Sequence, residues 1–254
     1  MKGITTLLLA TCLLMTSSLL VTNKAGAAAT ILLWPIDPWL GAEMNATELW
    51  IENQGNSATT MQVRIVRWTQ EGGYERYQAQ QDVVASPPIL RIDRGSKQLI
   101  RLIKQTGAPS GTEKAYRIII DEIPQPNDAA TPQMGIKLQM RYSLPLFVYG
   151  SGIRTQVNAA NHAEVEKTRL RWRVGQQEGK PAVEITNSGN VHLRLSQVTL
   201  AQNGKKYKLG EGLLGYVLPG QTRRWPLPAG VSRPDELHAN VNAKDAQWHS
   251  APGN

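Results

Sequence analysis

The sequence predicts an all-β protein built as a β-sandwich in each half. Three observations carry that prediction. Short apolar runs alternate with period two, turn residues interrupt them roughly every 8–12 residues, and Pro pairs and Gly turns leave no stretch for a long helix. A chain of 254 residues has room for two such units. Its composition, 41% hydrophobic and 19% charged, excludes intrinsic disorder.

The first 29 residues read as an export signal rather than as fold. Lys2 precedes the uncharged apolar residues 4–21, and Lys24 is followed by Ala25-Gly26-Ala27-Ala28-Ala29, so cleavage after Ala27 fits the small-residue rule. An uncleaved anchor is the competing reading, and the small-residue run weighs against it. The lone cysteine, Cys12, leaves with the signal, which excludes disulfides, thiol nucleophiles and Cys-based zinc sites from the mature chain. Losing Lys2 and Lys24 leaves 26 Lys and Arg against 20 Asp and Glu, a charge of +6 instead of +8.

Strand candidates follow in order. Residues 49–53 end at Gln54-Gly55-Asn56-Ser57, and residues 61–68 alternate up to Gly72-Gly73. Val83-Val84 leads into Ser86-Pro87-Pro88, residues 89–92 break at Asp93-Arg94-Gly95, and residues 97–103 resume before Gly107-Ala108-Pro109. Residues 116–123 form an apolar strand stopped by Pro124, and residues 134–142 alternate cleanly. Gly150-Ser151-Gly152 marks the domain boundary, giving a signal at 1–27, a first domain at 28–149 and a second at 150–254. Residues 170–174, 182–186, 191–195 and 198–200 continue the short-strand habit. Asn187-Ser188-Gly189-Asn190 and Asn203-Gly204 read as hairpin turns.

Catalytic signals are missing. Gly210-Glu211-Gly212-Leu213-Leu214-Gly215 matches the dinucleotide fingerprint in letters, but strand and turn residues follow where a helix is required. His162, His192, His238 and His249 form no metal-binding spacing, and no Ser lies in a nucleophile elbow. Neither an enzyme nor a cofactor or metal is expected. Asn45-Ala46-Thr47 is a glycosylation sequon of the kind that arises by chance.

Arg91, Arg94, Lys97, Arg101 and Lys104 gather a notable part of the positive charge. They suit either solvated strand edges or a site for an anion such as a carboxylate. Nucleic acid is not expected, because residues 87–105 hold no aromatic on which a base could stack. Residues 134–144 are the most informative segment. Met134, Ile136, Leu138, Met140, Tyr142 and Leu144 share one side of an extended strand, and polar residues and Gly135 share the other. An edge strand with such a face needs a cover, and the cover can be another chain.

The residues also resemble a family. Ser86-Pro87-Pro88-Ile89-Leu90-Arg91-Ile92-Asp93-Arg94-Gly95, Arg101-Leu102 and Tyr116-Arg117-Ile118-Ile119-Ile120-Asp121-Glu122-Ile123-Pro124 are similar to the signature of periplasmic pilus-assembly chaperones of the PapD-like type. Trp34-Pro35, Leu49-Trp50-Ile51-Glu52-Asn53 and Tyr142-Ser143-Leu144-Pro145-Leu146-Phe147 resemble the archaic, spore-coat-U branch of chaperone–usher systems. The resemblance implies two immunoglobulin-like domains in a boomerang and a location in the periplasm. It implies a chaperone that lends its seventh strand to pilus, fimbrial or coat subunits and delivers them to an outer-membrane usher. Met134, Ile136, Leu138 and Met140 would then be the inserted side chains, methionine's adaptable shape suiting several subunits.

In the better-known branch a basic pair anchors the subunit's terminal carboxylate. Here the first-strand stretch, residues 31–40, has no Lys or Arg, and the second position aligns with Ser143. By chemistry and position Arg91 and Arg101, then Arg141, are the candidate carboxylate anchors. No stable membrane insertion is expected of the mature chain, and self-association of the unloaded chaperone is an open possibility. The alternative function is a secreted β-sandwich module that binds anionic glycans or lipid head groups through its positive charge.

Overall fold

A computed structural model describes residues 31–124, 139–154, 169–242 and 247–253. Among these no α-helix occurs, and no helix is long and apolar enough to cross a membrane. The expected signal, and Met134, Ile136 and Leu138 of the apolar stripe, lie outside the described residues.

The first half forms two facing sheets. One is antiparallel, in the order β1 (Ile31–Trp34), β3 (Ala46–Asn53), β8 (Lys97–Lys104) and β6 (Val83–Ser86). The other runs β2 (Trp39–Leu40), β10 (Arg141–Tyr149), β9 (Glu113–Ile123), β4 (Thr59–Glu71) and β5 (Tyr74–Gln78), with β7 (Ile89–Ile92) also on β4. Period-two alternation explains the core. Leu49, Ile51, Ile100 and Leu102 point inward from the first sheet and meet Met61, Val63, Ile118, Ile120, Leu146 and Val148 from the second.

The second half repeats the plan with β11 (Leu170–Gln177), β12 (Lys180–Asn187) and β16 (Thr222–Pro226) in one sheet. The other orders β14 (Lys205–Lys208), β13 (Leu193–Gln202), β17 (Glu236–Val241) and β18 (Gln247–Ser250), with β15 (Leu213–Val217) also on β13. Trp172, Val183, Ile185, Leu195, Leu200 and Leu237 fill its core. No strand is shared between the sheets of the two halves.

One turn expectation fails and one holds. The Asn203-Gly204 hairpin joins β13 to β14, with φ of 50° and 76° as a two-residue turn of primed type requires. The expected hairpin at Asn187-Ser188-Gly189-Asn190 is not one, because β12 and β13 belong to different sheets. Those residues carry the chain across the sandwich, and the hairpin of that region is Glu178-Gly179, between β11 and β12.

The crossing is pinned by Asn187, which is buried. Its Nδ2 donates to the Val191 and Val217 carbonyls at 2.8 and 3.0 Å, and its Oδ1 accepts from the Gly189 N–H at 2.8 Å. Buried Asn53 does the same in the first half, with Ser57 O at 2.7 Å, Ile92 O at 3.1 Å and Gly55 N at 2.9 Å. Ile51-Glu52-Asn53-Gln54-Gly55-Asn56 and Ile185-Thr186-Asn187-Ser188-Gly189-Asn190 are thus one device used twice. An amide supplies the two donors and one acceptor that a tight crossing would otherwise leave unpaired.

A buried seam joins the halves. Trp68, Ala115, Phe147 and Tyr149 of the first half pack on Val191, Tyr216 and Leu218 of the second. The His192 ring stacks on Phe147 with centroids 3.5 Å apart, and its Nδ1 lies 2.8 Å from buried Glu113 Oε2. Gln70 acts as a surrogate strand, donating to Tyr216 O and accepting from Leu218 N, both at 2.9 Å. The β4–β5 turn adds a clasp: Arg224 donates to Gly72 O at 2.8 Å, and Arg223 pairs with Glu75 at 2.6 Å.

Candidate functional site

β10 is the strand on which seam, core and solvent meet. It pairs with β9 along its whole length, but on its other edge only Phe147 and Val148 find a partner, the short parallel β2. Among the described residues no strand covers that edge between residues 141 and 146. Glu122 N donates to Met140 O at 3.1 Å, so even-numbered residues of β10 bond to β9. The main-chain groups of Arg141 and Ser143 therefore face the open edge. Pro145, which has no N–H to offer, is tolerated in the strand for the same reason.

The two faces of this segment differ. Tyr142 and Leu144 turn inward and pack on the first core. Burial pushes the Tyr142 phenol up, partly offset by a hydrogen bond from the Ile31 main chain, which links β1 to β10. Met140, next on the same side, is 38% exposed, so the apolar stripe runs out of the core at this residue. Met134, Ile136 and Leu138 continue its parity in the sequence and lie outside the described residues.

On the opposite face Arg141 and Arg64 close on Asp121 from two sides, Arg64 Nη2 lying 2.6 Å from Oδ2 and Arg141 Nε bonding Oδ1. Partial burial pushes the Asp121 carboxyl up, but the Arg141 and Arg64 bonds outweigh it and hold the group below the usual carboxylate range. With Gln62, Pro124 and Gln139 these residues line an open cleft of about 560 Å³. Arg141 and Arg64 are 66% and 51% exposed, so both retain guanidinium surface for an incoming anion.

The three arginine candidates are not gathered into one place. Arg91 lies on β7, on the same outer face as Arg141 but three strands away, and is 3.6 Å from Asp93. Arg101 lies on β8, in the other sheet, opposite Glu48 and Ser86. The remaining cations of that stretch are dispersed: Lys97 sits over Trp50, and Lys104 Nζ donates to Gly41 O and Ala42 O at 2.8 and 2.7 Å. Only Arg141 stands on the open-edged strand. Arg64 went unnoticed in the sequence, because 57 residues separate it from Asp121 and only strand register brings them together.

Glu236 lies between His238 and His249, at 2.9 and 2.7 Å. Even so, among the described residues no group of His, Cys, Asp and Glu has the geometry to hold a metal ion.

Comparison with known proteins matches this arrangement. Residues 39–154 match the family of pili and flagellar-assembly chaperones, PapD N-terminal domain. The chaperone of the CsuC–CsuE chaperone–tip adhesion subunit pre-assembly complex, from the archaic chaperone–usher Csu pili of Acinetobacter baumannii, is 30% identical. The similarity spans 87% of this chain and 97% of that one, with a TM-score of 0.69. The fold is also that of Salmonella enterica SafB, solved with SafA pilin, at 15% identity, TM-score 0.65 and coverage of 89% and 98%. It is likewise that of the E. coli chaperone DraB, at 19% identity, TM-score 0.60 and coverage of 89% and 97%. No curated protein matches the sequence significantly.

Proposed function

The chain belongs to the PapD-like family of pilus-assembly chaperones, and we propose that it holds its subunits by lending them the strand that enters β10. It is a chaperone of two immunoglobulin-like sandwiches whose relatives include an archaic-branch member solved with its tip adhesion subunit. The observation that carries the proposal is the edge of β10 that no described strand covers, next to a buried end. An incoming strand gains main-chain hydrogen bonds from Arg141 and Ser143. Side chains at Met134, Ile136, Leu138 and Met140 then fill the gap left in the subunit's core.

Arg141, supported by Arg64, is the best-placed anchor for the subunit's terminal carboxylate, ahead of Arg91 and Arg101. Two arginines already hold one carboxylate here, in Asp121, and a second can share their outward N–H groups. The mature chain starts after Ala27, its domains divide between Tyr149 and Gly150, it works in the periplasm, and it passes subunits to an outer-membrane usher.

Co-expression with a pilus or coat subunit encoded beside this chain tests the reading. A 1:1 complex is expected, and Ile136→Asp with Leu138→Asp abolishes it while the chaperone stays folded. Capture that survives both charges rules strand donation out.

A further inference from the structure

The open edge and the positive charge of the chain lie in different halves. Residues 28–149 hold 12 Lys and Arg against 12 Asp and Glu, whereas residues 150–254 hold 14 against 8, so the whole +6 belongs to the second half. Four of these cations, Arg169, Arg171, Arg173 and Arg224, lie in or next to one sheet. In β11 the side chains of Leu170 and Trp172 are buried, and Arg171 and Arg173 alternate with them into solvent, continuing from exposed Arg169.

Strand register sets two short rows on the outer face of this sheet: Arg171, Thr186 and Thr222, then Arg173, Glu184 and Arg224. Glu184 is buried and accepts from Arg173 Nε and Arg224 Nε at 2.7 Å each. The Arg224 bond, with that from Arg173, holds the carboxyl below its usual range against the push of burial. It fixes the two guanidinium groups while leaving an excess of positive charge. Arg173 remains 69% exposed.

We propose that the outer face of the sheet β11–β12–β16 is an electrostatic docking surface for membranes that carry anionic phospholipid head groups. Arginine forks suit phosphate oxygens, and the exposed Arg171 and Arg173, on the β11 side of this face away from the β4–β5 turn that clasps Arg224, suit a planar array of them. A stable protein partner is the poorer fit. Its interface would need an apolar or aromatic anchor, and the residues between the arginines are Glu184, Thr186 and Thr222, the two hydroxyls bonding each other at 2.7 Å. Stacked nucleobases are equally unsuited, because the aromatic of this strand, Trp172, is turned into the core. The association is reversible, each basic residue near an anionic leaflet contributing about a fivefold gain in partitioning. It is separate from strand donation, which uses the other half of the molecule.

Sedimentation of the full mature chain with lipid vesicles tests the proposal. The chain is expected to pellet with phosphatidylcholine vesicles containing about one third phosphatidylglycerol, not with phosphatidylcholine alone, and to be released at about 1 M salt, where screening acts within about 3 Å. Arg171→Gln with Arg173→Gln should weaken partitioning about thirtyfold, the loss of two surface charges. Arg171→Lys with Arg173→Lys should keep most of it, and Arg94→Gln with Lys97→Gln, in the first half, should leave it unchanged. Circular dichroism verifies that each variant is folded, and the strand variant Ile136→Asp should still bind vesicles. Equal pelleting with both vesicle types, no pelleting with either, or a Gln variant that pellets like the parent overturns the proposal. So does retention on soluble polyglutamate without vesicle binding, which would assign the face to an acidic protein.

Discussion

Residues 141–144 of β10 alternate between exposed and half-buried side chains, whereas its last five, from Pro145 to Tyr149, are buried on both faces. The inward residues Leu146 and Val148 lie in the first core, and the outward residues Phe147 and Tyr149 lie in the seam. The strand changes character because the second half covers one end of the outer face of its sheet and leaves the other bare. Trp68 and Gln70 of β4 and Glu113 and Ala115 of β9 are buried at the covered end, and Arg64 and Asp121 stand at the bare end. The difference teaches how a strand can be offered without being lost. Pairing energy at an edge is small and unspecific, and a donor strand needs one end fixed so that the other presents a constant register.

Breaking the fixed end should have the largest effect. Trp68→Ala opens a hole where Phe147, Tyr216 and the Arg117 guanidinium, 3.9 Å over the indole, now meet. A loss of about 3–5 kcal/mol is expected, read by denaturant unfolding, together with weakened subunit capture. A Trp68→Ala protein as stable as the parent would show that the seam does not hold the strand.

Next in size are the paired asparagines. Asn53→Ala and Asn187→Ala each strand buried main-chain groups and should each cost about 3 kcal/mol. Here the two halves should separate in degree: Asn53 lies in the sandwich that holds β10, whereas Asn187 reaches that strand only through Val191 of the seam, so the Asn53 change should impair capture more. Equal impairment by both would mean that the second half acts on the free end as well.

Smaller again is the link between β1 and β10. Tyr142→Phe keeps the ring in the core and removes the bond to Ile31, for a loss of about 1 kcal/mol and faster hydrogen exchange at Ile31.

Acid should produce the mildest change. Asp121 and Glu184 both have folded-state pKa values below their ordinary ones. Their contribution is therefore fully present above the unfolded value, about 4, and is lost as pH falls through the lower folded value. Partly solvated pairs of this kind give up roughly 1 kcal/mol or less each. Asp121→Asn and Glu184→Gln should flatten the slope of stability against pH below about 4. An unchanged slope in both would remove these pairs from the account.

Much of this was legible in the chain itself. Period-two alternation located β4, and short apolar runs bounded by turn residues located β3, β8, β9 and most strands of the second half, because each buries a face against a facing sheet. β5 escaped notice since its five residues, Tyr74 to Gln78, carry no buried face to imprint a pattern. The turn at Asn187 was legible as a turn but not as a crossing, because turn chemistry bends the chain without choosing the sheet that the next strand joins. Its repetition at Asn53 was a signal available in the letters. In the candidate site the apolar stripe was readable from parity alone, and Pro145 was a further signal of an edge that went unused. The Arg64–Asp121–Arg141 cluster and the seam around His192 were hidden, since both depend on register or docking between residues far apart in sequence.

Backbone hydrogen exchange along β10, followed by NMR with and without a bound subunit, tests the central claim most directly. The N–H groups of Tyr142, Leu144 and Leu146 point at β9 and should be protected from the start, whereas those of Arg141 and Ser143 should exchange freely and become protected only in the complex. New protection at Arg141 and Ser143 on subunit binding is the result this account predicts. A complex that forms while those two amides still exchange freely would contradict it.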